Sequence, residues 1–536
     1  VKYEKHFNQN TSSQNEPIPG KNQIKNSAGG FSFEVDLWMK LDRFLILGTE
    51  GGSYYSSEKK LTIKSANAII DCLKIDGLRT VDRIVEISDS GRAPKNDPAI
   101  FALAMALKLG NDETRKVARN AVSKVCRTGT HLFSFARAIK SFGGWGRGTR
   151  NAVASWYNSM DIHKLAFQVV KYQQRDGWSH RDLIRLSHLK TTDATRNAIY
   201  RWVVKDEIAD DIVPIIQGFE KVKKASSANV VANLVREYRL PHECIPTQFK
   251  NEMIVQEALL NDMPLTAMIR NLGNMTKSGL LVPLSTATSE VIKRLGNIEM
   301  LREGRIHPIK ILTALLTYKM GRGIRGKGTW NPVTAIIDAL DEAFYESFKH
   351  VEPTGKRILL AMDVSGSMDN GTIAGVPGLS PRLASAAMAM AIARVEKNFD
   401  VICFSSGSSI DGHHEIVSGV TSIDISPRQR LDDVVNKVRA IPFGGTDCSL
   451  PMIYAQAKGM QVDAFIVLTD NETWAGKIHP SQALKKYRRS SGIASKSVVC
   501  GMVSNEFSIA DPADSGMMDV VGFDSNVPSL ISDFIR

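Results

Sequence analysis

The apolar positions of the chain follow two different patterns. From about residue 33 to 350 they recur at three-to-four spacing, in Leu37–Leu47, Leu61–Ile75, Ala99–Leu109, Val117–Val125, Val153–Tyr157, Ile162–Tyr172, Ile184–Leu189 and Ile309–Met320. That spacing keeps one face of an α-helix apolar. Short Gly and Asx groups such as Asp76-Gly77, Thr128-Gly129-Thr130 and Asp176-Gly177 lie between these stretches, ending one helix and capping the next. A long procession of short helices without strands predicts an α-solenoid of HEAT-like helical repeats; an irregular helical domain is the plainer alternative. Leu183–Leu189 resembles Met268–Asn274, and the aligned Arg185 and Arg270 lie 85 positions apart, near twice a HEAT period of roughly 40–47 residues.

After Pro353-Thr354-Gly355 short β-branched runs take over. Ile358–Met362, Val401–Phe404, Phe465–Leu468 and Ser497–Val503 alternate with the helical stretches Leu383–Val395, Leu431–Val438, Pro451–Lys458 and Ser481–Arg488. Buried strands alternating with helices predict a doubly wound α/β domain with a parallel sheet. The reading divides the chain into a flexible polar tail at 1–30, a helical-repeat domain at 31–356 and an α/β domain at 357–536.

With 536 residues, the chain is too long for one hydrophobic core. Its net charge of +12 is unevenly spread. Residues 361–536 hold 15 basic and 19 acidic side chains, leaving 53 basic and 37 acidic on residues 1–360. A helical array that basic predicts an anionic partner. The six cysteines are isolated, without C-x-x-C pairs, which predicts reduced, mostly buried thiols. No apolar run has the length needed to span a bilayer, and residues 1–30 lack the apolar core of a secretory signal. The expectations are therefore no membrane and an intracellular protein.

The first strand of the α/β domain ends in Asp363-Val364-Ser365-Gly366-Ser367, a D-x-S-x-S pattern, and ligands of open α/β sheets bind beyond the carboxyl ends of strands. Thr446, in Gly444-Gly445-Thr446-Asp447, and Asp470, ending a later strand, complete a set of three hydroxyls and two carboxylates. Such hard oxygens suit Mg²⁺ first, with Mn²⁺ or Ca²⁺ as alternatives; the bland reading is that Asp363 and the serines cap a turn. The set resembles a von Willebrand factor type A domain with a complete metal-ion-dependent adhesion site. The resemblance implies direct binding by Ser365, Ser367 and Thr446, with Asp363 and Asp470 acting directly or through water. A cation so ligated invites an acidic protein partner. The insertion Gly371–Ser380 leaves the partner-facing contour open, and Cys448 reads as a packing residue.

Basic residues gather between Lys171 and Lys190. On a helix starting near Ser179, Arg181, Arg185 and His188 share one face, and Lys171 and Arg175, four apart, extend that stripe from the preceding helix. A solvated face with ordinary ion pairs is the alternative. With Lys140, Arg147, Arg150 and Lys190 nearby, the surface points to phosphate binding, and His180 and His188 are candidates to contact bases. Gly321–Gly328 nearly matches a P-loop, but Gly328 stands where a hydroxyl is needed and the loop follows a helix.

Gly-Trp-Ser-His-Arg-Asp-Leu at 177–183, Arg-Leu-Ser-His-Leu at 185–189, the opening Leu45–Tyr55 and the type A domain together resemble the Ro autoantigen family, whose repeat region is the TROVE module. The resemblance implies a ring of HEAT repeats with a basic central hole, small noncoding Y RNAs on the outer surface and single-stranded 3′ ends of misfolded noncoding RNAs in the hole. It implies RNA quality control without catalysis, by a cytoplasmic, and also nuclear, monomer that binds no DNA. The competing reading is a metal-dependent adhesion-type scaffold without RNA binding; a metal-dependent phosphoesterase lacks an evident base, since only Asp369 and Asp447 lie close by.

Overall fold

The computed structural model describes residues 11–48, 66–304, 306–323, 328–348, 351–369, 373, 379–406, 419–442, 444–503, 505–524 and 526–536. They form two compact units: one of Ala66–Ile306 with Lys310–Ala343, the other of the described part of Val1–Ser65 with His307–Ile309 and Phe344–Arg536. No helix among the described residues is long and apolar enough to cross a membrane.

The first unit is built of helices that pack on their neighbours and next neighbours. Gly77–Ser90 packs on Asp97–Leu109 and Asp112–Val125, Asp97–Leu109 on Gly129–Ser141, Asp112–Val125 on Arg147–Ser159, and Arg147–Ser159 on His180–Ser187. Such short-range stacking is what repeat architectures show. Local chemistry starts many of these helices. Asn111 accepts the Thr114 amide, with Asp112 and Glu113 in the first turn, while Ser179 and Asp182 form a reciprocal capping box. The core holds Phe133, Phe135, Trp156 and Tyr157, all essentially without exposure, each burial stabilising by roughly 1.5–3 kcal/mol. Between Ile162–Lys171 and His180–Ser187 the chain makes a hairpin rather than a helix turn: β3 (Gln174–Arg175) pairs antiparallel with β4 (Trp178–Ser179) across Asp176-Gly177, φ 54° and 78°. Two consecutive positive φ values are the signature of a two-residue hairpin turn, which Asp-Gly favours.

The second unit carries a six-stranded sheet in the order β11-β9-β8-β5-β6-β7, with β5 (Ile358–Asp363), β6 (Phe399–Phe404), β7 (Val420–Ser422), β8 (Ala464–Thr469), β9 (Lys496–Gly501) and β11 (Met517–Val521). Only the edge pair β6 and β7 is antiparallel. Every residue of β5 and β8 is buried, as central strands of a covered sheet require. The four strands and four helices expected after residue 357 are present within a few residues; β7, β11 and the helix Val527–Ile535 had no clear sequence signal. The strand order reverses between β5 and β8, since β6 is laid on one side of β5 and β8 on the other.

The expected flexible tail is ordered from residue 11. β1 (Gln23–Lys25) pairs with β2 (Phe31–Glu34), and β2 pairs with β10 (Phe507–Ser508) near the other end of the chain. Gln14 and Asn26 are buried, so polarity here reflects hydrogen bonding rather than solvation; residues 1–10 lie outside the described residues, as do 49–55 of the expected opening stretch and 61–65 of the expected helix at 61–75. All six cysteines are buried, and none forms a disulfide.

Candidate functional site

The reversal between β5 and β8 brings two strand ends together, the place where open α/β sheets bind ligands. Asp363 ends β5, and Asp470 directly follows β8; both are at most 3% exposed. Asp363 Oδ1 accepts the Ser365 amide at 2.9 Å, and Oδ2 accepts the Thr469 hydroxyl at 2.7 Å. The Ser365 and Ser367 hydroxyls stand 3.2 Å apart, and the Ser367 side chain works against the upward shift of the Asp470 carboxyl. The Gly366 amide donates to the Gly444 carbonyl at 3.4 Å, drawing in the loop that carries Thr446, and Thr446 is itself buried. The Thr446 carbonyl accepts the Trp474 and Ala475 amides at 3.1 and 3.0 Å. All five expected ligands thus sit on three loops that hydrogen-bond one another.

These residues fit a divalent cation. Burial pushes both carboxyls upward, and the Asp470 charge pushes Asp363 further, the response of like charges confined together. Among the described residues neither carboxylate pairs with a basic side chain. Arg382, beside the first loop, donates to the Val364 carbonyl and pairs with Asp369 at 3.1 Å. A buried, uncompensated pair of carboxylates beside three hydroxyls wants a hard cation. Asp369 is thus engaged by Arg382, and Asp447 by Gln14 and Ser449. Cys448 is fully buried against the Thr469 hydroxyl, its thiol pushed well up by burial, in keeping with packing. Of the 371–380 insertion only 373, 379 and 380 are described.

On the helical unit the basic residues separate by environment. Arg181 and Arg185 project from His180–Ser187 towards the end of the helix Ala194–Lys205. There Arg181 Nε donates to the Val203 carbonyl at 3.1 Å, Arg181 Nη2 pairs with Asp206 at 2.6 Å, and Arg185 donates to the Val204 carbonyl at 3.4 Å. The Arg181 and Asp206 side chains are 41% and 79% exposed, so this pair contributes at most about 1 kcal/mol and yields readily to a phosphate. Lys140, Arg147, Arg150, His188 and Lys190 are exposed and Lys171 half-buried. The Lys171 ammonium lies 5.3 Å from the Phe167 and Tyr172 rings.

Three expectations change. The helix ends at Ser187 with His188 as a left-handed cap, φ 51°, so His188 is not on the Arg181 and Arg185 stripe. Arg175 lies in the hairpin and contacts Asp176, 3.6 Å away, so it does not continue a helical stripe from Lys171. His180, 2% exposed, is core: its Nδ1 meets the Tyr157 hydroxyl at 2.6 Å among Phe133 and Trp156. Burial lowers its pKa to about 3, which removes it from any contact with bases.

The sequence reading missed two groups. Trp145 and Trp178 pack 5.6 Å apart with the Lys140 ammonium 5.9 Å from the Trp178 ring, an aromatic and cationic grouping that forms only when the hairpin meets the end of the helix Gly129–Ser141. Separately, burial and then Arg127, Arg175 and Lys310 lower the pKa of His131 to about 4; burial, Arg270 and Lys95 lower that of Lys310. A same-sign cluster drawn from residues 95 to 310 leaves no local trace in the sequence. The Gly321–Gly328 loop is described except for 324–327, with Trp330 against Tyr318 at its base, 6.1 Å apart.

Comparison with known proteins agrees across both units. Residues 24–233 and 240–319 match the model of the TROVE domain, and residues 357–535 that of the Ro60 vWA domain. A protein of Deinococcus radiodurans named RNA-binding protein RO60 is 41% identical over 519 residues, 96% of this chain and 95% of its own. One of the same name from Caenorhabditis elegans is 35% identical over 594 aligned positions, 96% of this chain and 90% of its own. The crystal structure of the Deinococcus radiodurans RO (RSR) protein matches with a TM-score of 0.74, covering 94% of this chain and 99% of that one. With both of its parts matched in order and nearly end to end, the chain belongs to the Ro60 family of TROVE-domain proteins.

Proposed function

We propose that the chain is the RNA-binding protein of a ribonucleoprotein particle. On this reading it binds small noncoding Y RNAs on the basic surface around Lys140, Arg147, Arg150, Lys171, Arg175, Arg181, Arg185, His188 and Lys190. It takes single-stranded 3′ ends of misfolded noncoding RNAs into the central hole of its helical array, holding RNA in quality control without transforming it, as a cytoplasmic monomer. The observation that carries the reading is the exposure of Lys140, Arg147, Arg150, Arg185, His188 and Lys190, beside an exposed Arg181–Asp206 pair that competes only weakly with phosphate. Phosphate contacts of this kind give affinity with little sequence readout. The relatives' names and the TROVE match support RNA as the partner. Binding of a small hairpin RNA and of an RNA with a free 3′ extension, measured for wild type and for Arg181→Ala/Arg185→Ala, tests it. A severalfold or larger loss for the hairpin is expected; unchanged binding removes this face from the model.

On the same reading Asp363, Ser365, Ser367, Thr446 and Asp470 hold one divalent cation, Mg²⁺ first. With mostly neutral direct ligands the ion would remain electrophilic and recruit a carboxylate of a partner protein. The buried, unneutralised carboxylates favour this second binding function alongside the first.

A further inference from the structure

The segment read as a tail is bonded to the loops that carry Thr446 and Asp470, which the sequence motif does not indicate. The Gln14 side chain, with no exposure, makes four hydrogen bonds. Its Nε2 donates to Asp447 Oδ1 and to the Ile478 carbonyl, both at 2.8 Å; its Oε1 accepts the Thr473 hydroxyl at 2.6 Å and the Gly476 amide at 3.0 Å. One amide thereby fills all its donor and acceptor positions, and it joins the residue after Thr446 to the turn whose Trp474 and Ala475 amides hold the Thr446 carbonyl. Asn26 donates to the Thr473 carbonyl at 2.7 Å and accepts the Gly30 amide at 2.8 Å. A Cβ on Gly30 would lie 2.0 Å from that same carbonyl, so only glycine permits the approach. A second connection reaches Asp470. Arg43, 1% exposed, pairs with Asp519 at 2.6 Å and donates to the Asn505 carbonyl, while the Asn505 amide donates to the Asp470 carbonyl.

We infer that residues 11–48 are the positioning element of the cation site: Gln14 sets the Thr446 loop, and Arg43, through Asn505, sets the Asp470 loop. The inference rests on the proposed cation site. Groups that orient ligands govern metal affinity almost as strongly as the ligands, typically by 10–100-fold. In an open α/β domain with ligands on three separate loops, something must hold the loops in register before the ion arrives. Here that work falls to side chains more than 400 residues away in sequence.

The test is Mn²⁺ binding to the full chain, followed by the electron paramagnetic resonance signal of the free ion, for wild type, Gln14→Ala and Tyr487→Phe. Tyr487 is a buried control in the same unit: its hydroxyl donates to the Met460 carbonyl and accepts the Val462 amide, and neither contact touches the ligand loops. The expected result is one Mn²⁺ per wild-type chain, about tenfold weaker binding by Gln14→Ala and unchanged binding by Tyr487→Phe. Wild-type affinity in Gln14→Ala, or an equal loss in both variants, overturns the positioning role while leaving the cation site standing. No binding by wild type overturns the cation site and the inference with it. Should Gln14→Ala fail to fold, Asn26→Ala, which loses the contacts to the Thr473 carbonyl and the Gly30 amide but leaves Gln14 in place, carries the same comparison.

Discussion

At the carboxyl ends of β5 and β8 the five proposed oxygen ligands are gathered on adjoining loops, and among the described residues the two largely buried carboxylates have no basic side chain paired with them. On the helical unit the proposed RNA-binding cations are exposed or half-buried, spread over a hairpin, several helices and their caps, and the Arg181–Asp206 pair is itself exposed to solvent. The first arrangement concentrates unfavourable energy at one point, which a single ion relieves. The second spreads small favourable terms over many groups. Removing one member of the first should therefore abolish binding, whereas removing one member of the second should only weaken it.

The largest effect expected is that of salt on RNA binding. If six phosphates or more are contacted, affinity falls about a thousandfold between 50 and 200 mM salt; a flat response in a filter-binding series would break the contrast at its distributed end. Next is Asp363→Ala, for which Mn²⁺ affinity should fall by more than about 100-fold, beyond what supporting residues cost. Asp363→Asn should in addition raise the melting temperature in chelator, because a like-charge pair is relieved, so an unchanged or lower melt counts against mutual repulsion. Third, Arg181→Ala/Arg185→Ala should reduce the slope of log affinity against log salt by about 2. Equal slopes would mean that neither arginine touches phosphate.

Acid should act on the helical unit more gently. His131 and His180 stay neutral in the fold until about pH 4 and 3, but in the unfolded chain they take up protons near pH 6.5. Their contribution is thus complete above pH 6.5 and is lost as pH falls from there towards 3. Urea midpoints at pH 7 and pH 5 should show the decline, and His180→Phe should show less of it; parallel curves would sink the assignment. The smallest effect is that of Gly177→Ala, which forces a side chain into φ 78° at a cost of about 1–2 kcal/mol, read as a slightly lower melt with RNA affinity within about threefold.

The parts of the molecule legible in advance share one property, that their causes are local. β5 and β8 are continuous apolar runs bounded by Asp, and D-x-S-x-S encodes both a strand end and the turn that follows. The solenoid pattern is likewise a matter of three-to-four spacing within each helix. What escaped depends on distant partners. Nothing near Gln14 or Asn26 announces that residues 447 and 473 will receive them. His180 looks like a surface residue in a basic helix until Tyr157 and Phe133 arrive from two other helices. Lys95, Arg270 and Lys310 converge only after folding. The Gln174–Ser179 hairpin was misread for another reason: two residues on each side of Asp-Gly are too few to show alternation, and the same dipeptide also ends helices.

The pairing of β2 with β10 joins Glu34 to Phe507, and this order of residues imposes an order in time. On a ribosome adding roughly 5–20 residues per second, β2 waits on the order of half a minute to a minute and a half for its partner strand to be made. During that interval an edge strand and the future partner surface of Arg43 are both exposed, a state prone to off-pathway pairing. The α/β unit draws on strands from both sides of the helical unit, so it can close only after every helix between them has been made.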